Sequence, residues 1–118
     1  PTISSGQLSD FKYPENYPLW DDKYEELLKF KGFARALIST VKNHKNLDLE
    51  NKEISDSNKK VYTIWGDSDW VVIFNNIKGK LNKLLPNRFE YTVPNSGHLP
   101  HIENQSDFEK YLFEVVLK

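Results

Sequence analysis

Hydrophobic positions recur along the chain with different spacings, and each spacing predicts a different element. From Val61 to Trp65 the residues are β-branched or aromatic throughout. That pattern predicts a strand buried on both faces, as in a parallel sheet, ended by Gly66. From Phe74 to Leu85 the apolar residues Phe74, Ile77, Leu81, Leu84 and Leu85 fall on one helical face. Gly79 weakens this helix by about 1 kcal/mol relative to Ala, and Pro86-Asn87 stops it. Arg88 to Val93 alternates polar and apolar residues and predicts a second strand. Strand, helix and strand make one βαβ unit, with parallel strands and a right-handed crossover.

On either side the pattern is weaker. Phe33, Ala34, Leu37, Ile38 and Val41 form one apolar stripe and predict a helix. Asp22 to Phe30 predicts a shorter helix, capped by Asp21 or Asp22. Residues 43–60 are dominated by Asn, Lys, Asp and Glu and predict a surface connection, with His44 a solvated loop histidine. Pro1, Gly6, Pro14 and Pro18 predict an irregular loop over residues 1–20. Its Phe11, Tyr13, Tyr17, Leu19 and Trp20 are too apolar for a solvated tail, so it is expected to pack on its own domain. Ser106-Asp107-Phe108-Glu109 reads as a capping box that opens a last helix, with Phe108, Leu112, Val115 and Val116 on one face.

Composition narrows the classes. At 118 residues the chain is about the size of one domain. Its net charge of -1 argues against nucleic acid or an anionic membrane as a partner. The hydrophobic fraction of 38% is low for a self-sufficient globule. The absence of Cys excludes a disulfide framework, a thiolate metal site and a Cys nucleophile. No apolar run approaches the roughly 18 residues of a membrane span, and no leader is visible, so the expected location is cytoplasmic. The opening Pro-Thr-Ile, without Met, suggests a segment of something longer.

The candidate chemistry sits where the two strands end. Side chains just past the carboxyl ends of parallel strands converge on one crevice. Asp67 and Asp69 follow the first strand and His98 follows the second. A carboxylate that accepts the Nδ1 proton of an imidazole fixes its tautomer and leaves the other nitrogen as a general base. His98-Leu99-Pro100-His101 lacks the His-Glu-x-x-His spacing of a zinc helix, and Pro100 prevents a regular helical face, so no metal or other cofactor is expected. The triplet Asn104-Gln105-Ser106 matches a glycosylation signal, but Ser106 is better explained as a helix cap.

Trp65-Gly66-Asp67-Ser68-Asp69, followed by Trp70-Val71-Val72, resembles the strand and loop that carry the catalytic acid in α/β-hydrolase fold enzymes. Val93-Pro94-Asn95-Ser96-Gly97-His98-Leu99-Pro100-His101, followed by Ile102-Glu103, resembles the histidine loop of that family. Phe33 to Leu37 resembles the helix that follows its lid. The resemblance covers roughly residues 31–118 and departs from the family where Gln105 or Ser106 stands in place of Pro. It implies Asp69 as triad acid, with Asp67 ranked second, and His98 as base. It further implies that Gly97 permits a tight turn, that His101 packs near the loop, and that Ser68 and Ser96 are loop formers.

The implied fold is α/β: the C-terminal part of an α/β-hydrolase, with its last two parallel strands, flanking helices and an incomplete sheet. Residues 1–30 would be a lid-derived or connecting segment and residues 31–118 the core. The sequence contains no Gly-x-Ser-x-Gly nucleophile elbow. Ser4-Ser5-Gly6 lacks a leading strand and a following helix. The resemblance therefore implies an esterase- or lipase-like hydrolase whose nucleophile lies outside this chain, acting on a small ester-like substrate. An upstream Asp nucleophile, as in epoxide hydrolases and dehalogenases, and a non-catalytic binding module stay open. The expected partner is the missing N-terminal half, or a second copy paired through exposed sheet edges.

Overall fold

The computed structural model describes residues 3–118, so the expectation for residues 1 and 2 lies outside the described residues. In chain order the elements are α1 (Ile3–Gly6), 3₁₀ turns at Gln7–Asp10 and Pro14–Asn16, α2 (Trp20–Leu28), α3 (Phe33–Lys42), α4 (Asp48–Asp56), β1 (Tyr62–Gly66), α5 (Phe74–Leu84), β2 (Phe89–Val93), α6 (Pro100–Glu103), α7 (Gln105–Tyr111) and a π-helical turn at Leu112–Val116. β1 and β2 pair in parallel, Tyr62 opposite Phe89 and Gly66 opposite Val93, with α5 as the crossover. The βαβ unit expected from the pattern is the one that forms.

Aromatic contacts hold its two faces. Tyr62 stacks on its cross-strand partner Phe89 at 4.9 Å, and Trp65 meets Phe74 of α5 at 5.2 Å. Tyr91 stacks on Tyr111 at 4.2 Å, and its hydroxyl donates to Asp107 at 2.6 Å, fastening α7 to β2. That bond to a carboxylate, with burial, pushes the Tyr91 phenol above its ordinary value. The N-terminal stretch packs in part as expected: Phe11 is buried, stacked on Tyr17 at 4.1 Å and edge-on to Trp20 at 5.1 Å, while Tyr13 and Leu19 are exposed.

Several expectations need correction. The stretch before Phe11 is a run of helical turns and not an irregular loop; Ser4 and Ser5 lie in α1, which leads into the first 3₁₀ turn. The polar connection contains α4. Asn46 accepts from the Asp48 amide at 2.9 Å, an Asx turn that satisfies a first-turn donor, and Lys52 pairs with Asp56 at 2.8 Å one turn on. Lys80 of α5 anchors it through Asp48 at 2.6 Å. α2 begins at Trp20 without a side-chain cap, so neither Asp21 nor Asp22 performs the expected role. The last helix is capped by Asn104, whose side chain accepts from the Asp107 amide, and not by Ser106. Pro100 opens the one-turn α6, where a missing N–H costs nothing.

Burial is also shallower than expected. Residues 62–65 of β1 are only half-buried, because the sheet has two strands and nothing among the described residues covers the far edge. The stripe of α3 is only partly covered: Phe33 meets Tyr24 of α2 edge-on, whereas Ile38 is 53% exposed and Val41 72% exposed. The accessible surface is 8870 Å², against about 6,700 Å² for a compact monomer of this mass. The radius of gyration is 16.5 Å, against about 13.5 Å for a compact chain of this length.

Candidate active site

The loops that follow β1 and β2 are zipped together before any side-chain chemistry begins. The Asp67 amide donates to the Val93 carbonyl at 3.0 Å and the Ser68 amide to the Ser96 carbonyl at 2.9 Å. Gly66 makes this approach possible: a Cβ there would run into the carbonyl oxygens of Gly97 and Ser96. In the second loop Asn95 takes a φ of 54°, a left-handed conformation that Asn tolerates better than most residues. The buried Ser96 hydroxyl closes the turn onto the Val93 carbonyl at 2.9 Å, so Ser96 does form the loop.

Asp69 and His98 meet across this zipper. His98 Nδ1 lies 2.9 Å from Asp69 Oδ2. The Asp69 side chain is 6% exposed and that of His98 36%. The other Asp69 oxygen accepts the amides of Val71 and Val72 at 2.9 and 2.8 Å, so the carboxylate is held on both sides. An ionised carboxylate offers only acceptors, hence Nδ1 carries the proton and Nε2 is the basic nitrogen of the neutral ring.

Asp67, ranked second for the acid, is engaged elsewhere. Its carboxylate accepts the Asn95 amide at 2.9 Å, the Ser96 amide at 3.3 Å and the Ser68 hydroxyl at 2.8 Å, with Lys12 Nζ at 3.4 Å. Burial pushes its carboxyl up, but these donors outweigh burial and hold it below its ordinary value. Asp67 therefore braces the two loops. His101 is exposed, with its ring 5.9 Å from that of Phe108. Among the described residues no group of three or more His, Cys, Asp or Glu side chains is arranged to hold a metal ion.

Three residues given no role by the sequence, Asp10, Lys12 and Glu103, brace the backbone at His98. The His98 amide donates to the Asp10 carbonyl at 2.6 Å. Burial raises the Asp10 carboxyl above its ordinary value; His98 pulls it down and the Asp69 charge pushes it up, so Asp10 shares the field of the pair. Glu103 accepts the Gly97 amide at 2.5 Å and the Lys12 amide at 2.7 Å. Gly97 faces this segment closely: a Cβ would lie 2.5 Å from the Asp10 oxygen and 2.8 Å from the Lys12 nitrogen. Its φ is not positive, so close backbone approach, and not a left-handed turn, is what requires glycine here. The acid in Gly-His-x-x-His-x-Glu was the one available signal for Glu103; Asp10 and Lys12 carried none.

A cleft of about 340 Å³ opens beside the acid loop, lined by Trp65, Asp67, Asp69, Trp70, Phe74 and Thr92 among others. Trp70 is 75% exposed at its edge. The Ser4 hydroxyl donates to Glu25 at 2.9 Å, within the N-terminal helical cluster. No described helix is long and apolar enough to cross a membrane.

Among known proteins, the family model for the alpha/beta hydrolase fold matches residues 4–105 of the chain. Neither the search of curated proteins nor that of solved structures found a match.

Proposed function

The chain belongs to the α/β-hydrolase fold family, and from that premise we propose that it carries the acid and base of a serine-type, esterase-like triad. His98 is the general base, Asp69 orients it, and the nucleophile comes from another polypeptide segment. The observation that carries this reading is the 2.9 Å contact of His98 Nδ1 with Asp69 Oδ2 at the carboxyl ends of two adjacent parallel strands.

In this reading a serine hydroxyl attacks the carbonyl carbon of a small ester, and its proton passes to His98 Nε2. The new imidazolium is stabilised by Asp69 across Nδ1–H. Collapse of the tetrahedral intermediate breaks the bond to the leaving alkoxide, which takes the proton from Nε2 and departs as the alcohol. Water then repeats the sequence on the acyl group: His98 accepts its proton, the acid is released and the serine is restored. The open edge of β1 and the exposed Ile38 and Val41 of α3 support a polypeptide partner that completes the sheet and brings the nucleophile.

The test is hydrolysis of short p-nitrophenyl esters by the chain alone and by the chain joined to a nucleophile-bearing segment. The chain alone should show no turnover. In the joined protein His98→Ala abolishes turnover and Asp69→Asn lowers kcat by about 10⁴-fold, the scale seen when a triad acid is lost. Retained activity in His98→Ala would sink the assignment. A joined protein that folds, binds esters and turns none over would instead favour a binding module.

A further inference from the structure

We propose that Glu103 is a positioning residue for His98, clamping the Asp10–Lys12 segment onto the histidine loop so that the imidazole meets Asp69 in a single orientation. This rests on the reading of His98 as the base.

The clamp is built from backbone donors on both sides of one carboxylate. Glu103 Oε2 accepts the Gly97 amide at 2.5 Å, immediately before His98, and Oε1 accepts the Lys12 amide at 2.7 Å. The next amide, that of His98 itself, donates to the Asp10 carbonyl at 2.6 Å. Both backbone N–H groups at the base of the imidazole are thus held, one by Glu103 directly and one by the segment that Glu103 holds. Glu103 is in turn fixed by α6, where the amides of Ile102 and Glu103 return to the Leu99 carbonyl at 2.9 and 3.0 Å. The chain therefore leaves His98, makes one turn and returns to grip the residue before it. An imidazole held at Nδ1 by a single bond can still swing with its backbone; fixing the backbone at Gly97 and His98 removes that freedom.

The chemistry of the clamp is selective. The two N–H donors meet different oxygens of the one carboxylate, so both positions must be acceptors. Glutamine turns an NH₂ toward one of them. Aspartate is a methylene shorter and cannot span both.

The experiment is ¹⁵N NMR of the imidazole rings in the full 118-residue chain, at a pH where they are neutral. The exposed His44 ring serves as the internal reference for an unconstrained imidazole. In the unsubstituted chain His98 should be held in the Nδ1–H tautomer. Glu103→Gln should lower its ratio of Nδ1–H to Nε2–H by about tenfold, toward that of His44, the population change that matches loss of one ordinary hydrogen bond. The distant variant Asn46→Ala, which lowers stability without touching the clamp, should leave the ratio unchanged. An unchanged ratio in Glu103→Gln, with Asp69→Asn shifting it, overturns the clamp and leaves the acid–imidazole reading standing. No shift in Asp69→Asn overturns that reading, and the clamp with it. If Glu103→Gln fails to fold, Glu103→Asp is measured in its place. Unfolding of both would make Glu103 a support of the fold and overturn the positioning role.

Discussion

Asp67 holds the Asn95 and Ser96 amides, while Asp69 holds the Val71 and Val72 amides and the His98 ring, so protonating each has a different consequence. The Asp67 carboxyl lies below its ordinary value in the folded chain. Its contribution to stability is therefore fully present above the unfolded value of about 3.9 and is lost as pH falls through the lower folded value. Asp67→Asn should flatten the stability–pH curve below about pH 4, measured as the urea midpoint across a pH series. An unaltered acid limb would show that Asp67 does not brace the loops. Gly66→Ala tests the same zipper sterically. Its Cβ meets two backbone carbonyls that cannot move without opening the loops, so a loss of about 3 kcal/mol is expected in chemical denaturation. At Asn95 the left-handed φ predicts that Gly is tolerated and that Val costs about 1–2 kcal/mol.

Among the elements, the βαβ unit was legible because a β-branched and aromatic run, a helical stripe and an alternating run follow one another between Val61 and Val93. α4 was not legible, because its stability comes from an Asx turn at Asn46, an i,i+4 ion pair and an anchor to Lys80, none of which leaves a hydrophobic stripe. The cap of α7 was displaced by two residues. Asn104 competes with Ser106 as a capping side chain, and it alone also donates to the Pro94 carbonyl at 2.9 Å, which ties the helix start to the loop after β2. Asn104→Ala should therefore cost about 1 kcal/mol or more, and Ser106→Ala close to nothing, in paired thermal melts. The reverse order would restore Ser106 as the cap. The same bond bears on the glycosylation triplet: the nitrogen that a glycan would occupy is already donating to Pro94. The acid–imidazole pair was legible from two strand ends. Its bracing by Asp10, Lys12 and Glu103 was not, since contacts between distant stretches leave no spacing to read.

At the scale of the whole molecule, the surface exceeds that of a compact chain by roughly 2,200 Å², an area in the range that permanent interfaces cover. Exposed apolar side chains contribute to it: Leu27 on α2, Phe30 in the turn that follows, Ile38 and Val41 on α3, and Leu49 and Ile54 on α4. A partner in the form of a nucleophile-bearing segment or a second copy would cover it. Sedimentation velocity of the isolated chain over a wide concentration range should therefore show self-association, with strong binding of a hydrophobic dye at low concentration. A compact monomer that binds no dye and melts at high temperature would remove the need for any partner.

The Glu103 clamp also has a consequence for how the protein is made. The bond from the Lys12 amide closes a separation of 91 residues. At a synthesis rate of 5–20 residues per second, roughly 5 to 18 seconds pass between translation of Lys12 and of Glu103. Phe11, Tyr17 and Trp20 can meet early, since they are local to one another. Their docking site on the histidine loop does not exist until that loop has been made. The aromatic cluster thus stays open to chaperones and proteases for at least that interval.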